Sequence, residues 1–573
     1  MNNINNGTST NETGGSTPAI PGPYRSPEQT EAFPLKQSLY RRNVGATSRG
    51  KGLTIFTQWC SGSSDKSGAS LRMIALCFGI LTLAVIVALA IQIYYGDYQL
   101  VPHGSVATDN QNCSIIGTDV LKRGGNAVDA AVAATFCLGV VNPHVTGLGG
   151  GGFMTIYSHR KRSVLDVIDF REVAPSSVSF SAEKPGSYVG VPGMLRGLAL
   201  AHQRYGLLPW KDVVMPAVRI ARSGFQVPAT LVSAKSLLKS NIFNKGLINW
   251  VESLEAGQPI AVPDLAIALE LIAEKGADVF YNGSLADDIL TTVREAGGEM
   301  TKHDLSNYQA VNRFALETTF GDFRVMVPDA PSGGPALLAV LKLLPSLNTS
   351  ISEIVRLAIA IEDTYRKARD GDWGEPDFPT DSHVMDSFSV NSSLTQYVGS
   401  HVAAADLNDI YVSVVSGLSS WFGSQLRTKR GFILNNAMTN FGVGKNSPSP
   451  GKRPLSFATP VIAVEKKRIC GRRLILGSGD ATIAAQLLSH LVDKNVSWIV
   501  EAPRFHVVEG NIISEEVHHL PSLSTADKEQ FISSHYLLRN LSEPYQSCNI
   551  VEKVADDLAS HSDSRGHGLA SRF

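Results

Sequence analysis

A chain of 573 residues with 43% hydrophobic content exceeds one ordinary domain and is apolar enough for a sizeable core. A formal net charge of −1 lacks the bias that nucleic acid or an acidic partner selects, and no Cys/His spacing resembles a zinc site. Nucleic-acid binding and a bound metal are therefore not expected.

Residues 1–72 are rich in Asn, Gly, Ser, Thr and Pro with little apolar periodicity, and read as a disordered cytoplasmic tail. Residues 73–91 hold no charge, close to the roughly 20 apolar residues that span a bilayer. Tyr94 and Tyr95 add an interfacial pair, so 73–95 reads as a transmembrane signal anchor, too far into the chain for a cleaved leader. Arg49, Lys51, Lys66 and Arg72 precede it, whereas no Lys or Arg occurs from Gly96 to Val120. Positive-inside logic then predicts a single-pass type II protein, its C-terminal part outside the plasma membrane or inside the secretory pathway. N-x-S/T sequons at Asn112, Asn282, Asn348, Asn391, Asn495 and Asn540 are consistent with a glycosylated ectodomain.

Six cysteines are sparse usage. Cys60 and Cys77 lie before and inside the apolar run. Cys113 and Cys137 flank one helical pattern and could bridge its ends. Cys470 and Cys548 are expected as buried free thiols.

Apolar periodicity over 113–141 predicts two helices broken at Lys122-Arg-Gly-Gly-Asn126, the second, 127–141, being a core helix. A Gly-rich loop, Gly147–Gly152, then precedes a strand at 153–157. That order is the reverse of the strand–loop–helix that a dinucleotide fold needs, so no nucleotide cofactor is expected, nor any other. A strand over 164–170 ends at Arg171, whose planar fork suits a carboxylate, although a surface ion pair fits the local pattern as well. Helical stripes follow within 186–225 and at 264–275, 285–296 and 354–369, with a strand at 324–327 and a loop at 328–335 that opens a helix. Beyond that come a buried strand at 397–406, a turn at Leu407-Asn-Asp409, and strands at 410–415, 431–434, 459–464 and 473–476. These blocks predict a layered α/β sandwich of antiparallel sheets.

Several motifs carry a resemblance: Gly125-Asn-Ala-Val-Asp-Ala-Ala131, Arg171-Glu-Val-Ala-Pro175, Ala201-His-Gln-Arg-Tyr-Gly206, Leu208-Pro-Trp210, Phe280-Tyr-Asn-Gly-Ser284, Phe422-Gly-Ser424, Leu434-Asn-Asn436 and Pro450-Gly-Lys-Arg-Pro-Leu-Ser456. Together they resemble the γ-glutamyltransferase, or glutathione hydrolase, family over about residues 100–573, and most of all its membrane-anchored vertebrate branch. The resemblance implies a four-layer αββα sandwich of the N-terminal nucleophile hydrolase type, preceded here by the one transmembrane helix. It divides the ectodomain into a large-subunit-like part, 96–398, and a small-subunit-like part, 399–573. It implies an N-terminal Thr nucleophile freed by self-cleavage, and glutathione or another γ-glutamyl compound as substrate. It also implies a disulfide between Cys113 and Cys137.

Residue by residue, Arg171 matches the arginine that clamps the substrate carboxylate, and His401 and Ser456 match as well. The nucleophile position falls on Gly399, which has no oxygen, and Ser400 beside it belongs to the opposite face of the strand. The other Thr and Asn of the site fall on Gly417 and Ser419. The Glu and Asp that hold the substrate's amino group fall on Ala437 and Asn440. The oxyanion Gly-Gly falls on Asp480-Ala481, where a carboxylate opposes a developing negative charge. The second Ser of a pair is Phe457. Loss of ordinary γ-glutamyl chemistry is thus the expectation, leaving a binding or regulatory relative with an unknown protein partner. The alternatives are an active hydrolase using Ser400 and an amidohydrolase rearranged around Arg171 and Asp480.

Overall fold

The computed structural model describes residues 68–95, 102–370 and 398–573, apart from residues 182, 442–445, 492–493 and 509–510. Asn391 and most of the tail lie outside the described residues. The chain divides into two compact units, Met1–Tyr98 and Gln99–Phe573. The first contains one helix, Gly68–Tyr95, which begins inside the segment assigned to the tail. Its stretch Arg72–Ile91 is long and apolar enough to cross a bilayer, with a mean hydropathy of 2.9 and none of it buried.

The second unit is a stack of two antiparallel sheets between two helical layers. One sheet runs, edge to edge, Ser571–Arg572, Ser105–Thr108, Val398–Ala405, Ile410–Ser419, Gly151–Ser158, Ser163–Asp169 and Val311–Arg313. The other runs Asp557–Ser562, Asn549–Val554, Arg473–Ser478, Thr459–Glu465, Phe323–Pro328 and Ala315–Phe320. Their facing sides share an apolar layer that includes Ala403, Ala405, Tyr411, Ile462, Ile475 and Val551. On the far side of the first sheet, Val402, Ala404, Val412 and Val414 pack with the helices around Ala127–Val141. The far side of the second sheet packs with Gly334–Leu343, Glu353–Asp370 and Ala481–Ser489. The result is the expected αββα sandwich.

Local chemistry accounts for these elements. Ala127–Val141 is apolar on nearly every face, as a helix covered on all sides must be, and a capping box sets its start. Asn126 accepts from the Val128 and Asp129 amides, and Asp129 accepts in return from the Asn126 amide. A disulfide joins Cys137 of this helix to Cys113 of Gln111–Lys122. Val398–Ala405 is buried at all eight positions, and apart from His401 it carries small or apolar side chains on both faces.

Two expectations need correction. Residues 431–434 form no strand: Gly431 has φ 87° in a turn closed on Thr428, leaving only isolated bridges from Ile433 to Arg427 and from Leu434 to Gly149. Cys470 is an exposed thiol, because it sits in the turn between two adjacent strands of the second sheet, whereas Cys548 is buried as expected.

Candidate functional site

The hairpin of Val398–Ala405 and Ile410–Ser419 sets the site. Its register pairs Ser416 with Ser400 and Ser419 with Val398, so a bulge falls at Gly417 and Leu418. Strand alternation puts Gly399 on the side of Ala403 and Ala405, toward the second sheet. A Cβ at Gly399 would lie 3.0 Å from both Gly479 Cα and Val415 Cγ1. A Cβ at Gly417 would meet the Val398 carbonyl oxygen at 2.3 Å, so backbone occupies the place of a side chain there.

A small cavity, part of it open to solvent, lies against these two glycines. Arg171, Ser419, Asn440 and Ser456 complete its polar wall, with Gly151, Gly152, Val398, Ala458 and Gly479 between them. Arg171 is buried rather than in a surface ion pair. Its Nη1 donates to Glu172 at 2.6 Å and to the Ser419 hydroxyl at 3.0 Å; Nη2 and Nε donate to the carbonyls of Leu455 and Pro454. Burial pushes the Glu172 carboxyl above the usual carboxylate range, and its partner Arg171 opposes that rise.

Ser400 is absent from this wall. Its hydroxyl donates to Asp109, just past the end of Ser105–Thr108. Asp109 also accepts from the His401 amide at 3.1 Å and from Asn549 Nδ2 at 2.6 Å. Burial nevertheless pushes it up to about 6. Asp109 faces a second small cavity, which it lines with His144, Trp421 and Tyr545, and which shares Val398 and Gly399 with the first. His401 lies between the sheets as a neutral imidazole, held down to about 3 by burial, with Nε2 3.0 Å from Ser413 Oγ.

The remaining expected positions stand outside both walls. Ala437 opens a 3-10 turn, Ala437–Asn440, and is buried. Asp480 is the N-cap of Ala481–Ser489, its carboxylate accepting from the Thr482 amide at 2.8 Å, and burial raises its pKa. Its carboxylate is thus turned to the helix and not to Arg171. Ala481 is buried in the first turn of that helix. Among the described residues, no group of three His, Cys, Asp or Glu side chains is placed to hold a metal. Asp109, Glu172 and Asn549 were not legible as site residues, since Asp109 meets Ser400 across 291 positions of sequence.

The family model for gamma-glutamyltranspeptidase matches residues 113–398 and 386–573. The chain belongs to this family. Glutathione hydrolase 7 of Rattus norvegicus is 35% identical over 481 residues, covering 74% of this chain and 72% of the relative. Glutathione hydrolase 2 of Arabidopsis thaliana is 34% identical over 427 residues, covering 64% and 73%. A solved cephalosporin acylase from Bacillus halodurans has a TM-score of 0.69 at 20% identity, covering 82% of this chain and 96% of that one. That likeness is one of fold, the N-terminal nucleophile hydrolase sandwich. The family's shared activity concerns glutathione and γ-glutamyl compounds.

Proposed function

We propose that this chain is a single-pass type II membrane member of the family whose site binds ligand without the ordinary γ-glutamyl chemistry. The observation that carries this reading is Gly399 on the cavity wall, with the neighbouring hydroxyl of Ser400 outside it and committed to Asp109. An amide cannot be attacked from a residue with no side chain. A family Thr would place its oxygen at this wall, and by resemblance to the family Gly417, Ala437, Asn440 and Asp480 replace other residues of its machinery. On this reading the parts 96–398 and 399–573 remain one uncut polypeptide.

The apolar helix and the basic residues before it support the anchor and its orientation. The sequon residues Asn112, Asn282, Asn348, Asn495 and Asn540 are all exposed, which suits glycans on an ectodomain in the secretory pathway or at the cell surface. The protein partner of such a relative is not identified by any motif.

A second reading keeps catalysis, with Ser400 as nucleophile and Asp109 as its base. It is favoured by the hydroxyl–carboxylate pair and by Asp109 facing a cavity of its own. One experiment separates the two. On a reducing, denaturing gel, the purified full chain should run as one band after glycan removal and release no amine from a γ-glutamyl anilide. Two fragments meeting at residues 399–400, or turnover abolished by Ser400→Ala, would sink the non-catalytic reading.

A further inference from the structure

Three hairpin turns meet at the end of the sandwich away from Gly399. They span residues 159–162, 321–322 and 466–472, the first in one sheet and the other two in its partner. Gly151–Ser158 runs from the cavity wall at Gly151 to the first of these turns, which sets surface and site roughly 25 Å apart. His159 Nε2 lies 2.8 Å from the Ile469 carbonyl oxygen, and Arg324 Nη2 donates to the Arg162 carbonyl at 3.0 Å. The Lys466 amide donates to the Asp322 carbonyl at 2.9 Å. Two basic runs far apart in sequence, Arg160-Lys-Arg162 and Lys466-Lys-Arg468, are thereby brought together, and all of their residues are exposed.

Four of these cations are unmatched. Arg160, Lys161, Arg162 and Lys466 form no ion pair among the described residues, and the Lys466 ammonium donates only to Thr319 Oγ1 at 3.3 Å. The carboxylates around them are already engaged. Lys467 holds Asp322 at 2.8 Å, Arg468 holds Glu465 at 2.7 Å, and Arg324 lies 3.8 Å from Glu317. Arg472 holds Glu552 at 2.5 Å, and Lys553 holds Asp409 at 2.7 Å. The exposed Asp556 and Asp557, on the next hairpin, bound the surface on that side. A chain with a formal net charge of −1 thus gathers unmatched positive charge at one end. Like charges on neighbouring turns repel one another, and a polyanion relieves that repulsion while releasing its own counterions.

We propose that this end of the sandwich docks a sulfated polysaccharide, across the turns that carry Arg160, Lys161, Arg162 and Lys466. Arginine's planar fork suits an oxyanion with several acceptor oxygens, and the lysines add point charge. The turns present no concave pocket, so the fit is to a chain of repeated anionic groups rather than to one small anion. The inference rests on the type II reading for the source of that chain. On that reading this unit faces away from the cytoplasmic leaflet, where anionic lipid is concentrated, which disfavours a membrane as the partner. The exposed Leu407 and Ile469 on adjoining turns are single apolar residues of the kind most surfaces carry. Docking at this end leaves the cavity beside Gly399 open.

The test is retention of the full glycosylated chain, in detergent micelles, on immobilised heparin. The triple variants Arg160→Gln/Lys161→Gln/Arg162→Gln and Lys466→Gln/Lys467→Gln/Arg468→Gln should each bind about tenfold more weakly, with the slope of log affinity against log salt lowered by about two. Lys122→Gln/Arg123→Gln/Arg219→Gln removes equal charge from a groove between two helices, and should change neither quantity. Should one turn variant fail to fold, as its melting curve would report, the other decides. No retention at low salt, an equal loss in all three variants, or tighter binding to phosphatidylcholine–phosphatidylserine vesicles than to heparin overturns the proposal. A chain that acquires no glycans in a secretory host would refute the type II reading while leaving the measured heparin binding in place. A glycosylated chain that passes through heparin unretained would do the reverse.

Discussion

Asp109 shows how a single buried group ties the site strand to its surroundings. It holds the Ser400 hydroxyl, the His401 amide and the Asn549 side chain, linking the Val398–Ala405 strand to the second sheet. Burial outweighs those three bonds, so its folded-state pKa of about 6 stands above the ordinary 3.8. The folded state therefore binds the proton more tightly than the unfolded state does. The associated stability is complete below about pH 4 and is lost as pH rises through about 6. Urea midpoints of the wild type and Asp109→Asn, taken at pH 4 and pH 7, should reveal it. The wild type's advantage should shrink by on the order of 3 kcal/mol across that interval, with the denaturant slope unchanged. A difference independent of pH would show that Asp109 does not titrate there. Arg171 teaches the complementary lesson: its position at a strand end was readable in sequence, but its burial and its pairing with Glu172 were decided by chain segments far away.

At the level of elements, what was legible followed from periodicity. Pro263–Lys275, Ser284–Glu295 and Glu353–Asp370 show the apolar stripe that a half-buried helix needs, and their expected limits lie within a residue or two. The hairpin around Gly399 was legible because strands buried on both faces leave runs of small and β-branched residues. Asp557–Ser562 and Leu537–Leu541 were not seen. The first is largely polar, the second is a short, mostly exposed run with no strict alternation, and only their partners Asn549–Val554 and Asn511–Glu515 define them as strands. Ser105–Thr108 is too short to show alternation. The same locality makes the start of Ala127–Val141 testable. Asn126→Ala removes the acceptor for two helix amides and the Nδ2 bond to the Tyr205 carbonyl. It should cost about 1–2 kcal/mol, read as a lower thermal midpoint. Asn126→Asp, which keeps the cap, should recover part of that loss. No recovery would locate the effect at Tyr205 instead.

Across the whole molecule, neither sheet belongs to one half of the chain. In the first, Ser105–Thr108, from the early part, lies between Ser571–Arg572 and Val398–Ala405, and Ile410–Ser419 lies beside Gly151–Ser158. In the second, Phe323–Pro328 pairs with Thr459–Glu465. The halves are laced together like the fingers of two hands. A break between residues 370 and 398 would sever none of the described strands, so intact and nicked molecules should sediment alike. The molecule is thus a ready-made split protein. Residues 99–370 and 398–573, produced as separate chains with one tag between them, should associate and copurify. Either segment alone should aggregate through its unpaired strand edges. A tagged half that purifies alone, soluble and monomeric, would show that the lacing is not needed for folding.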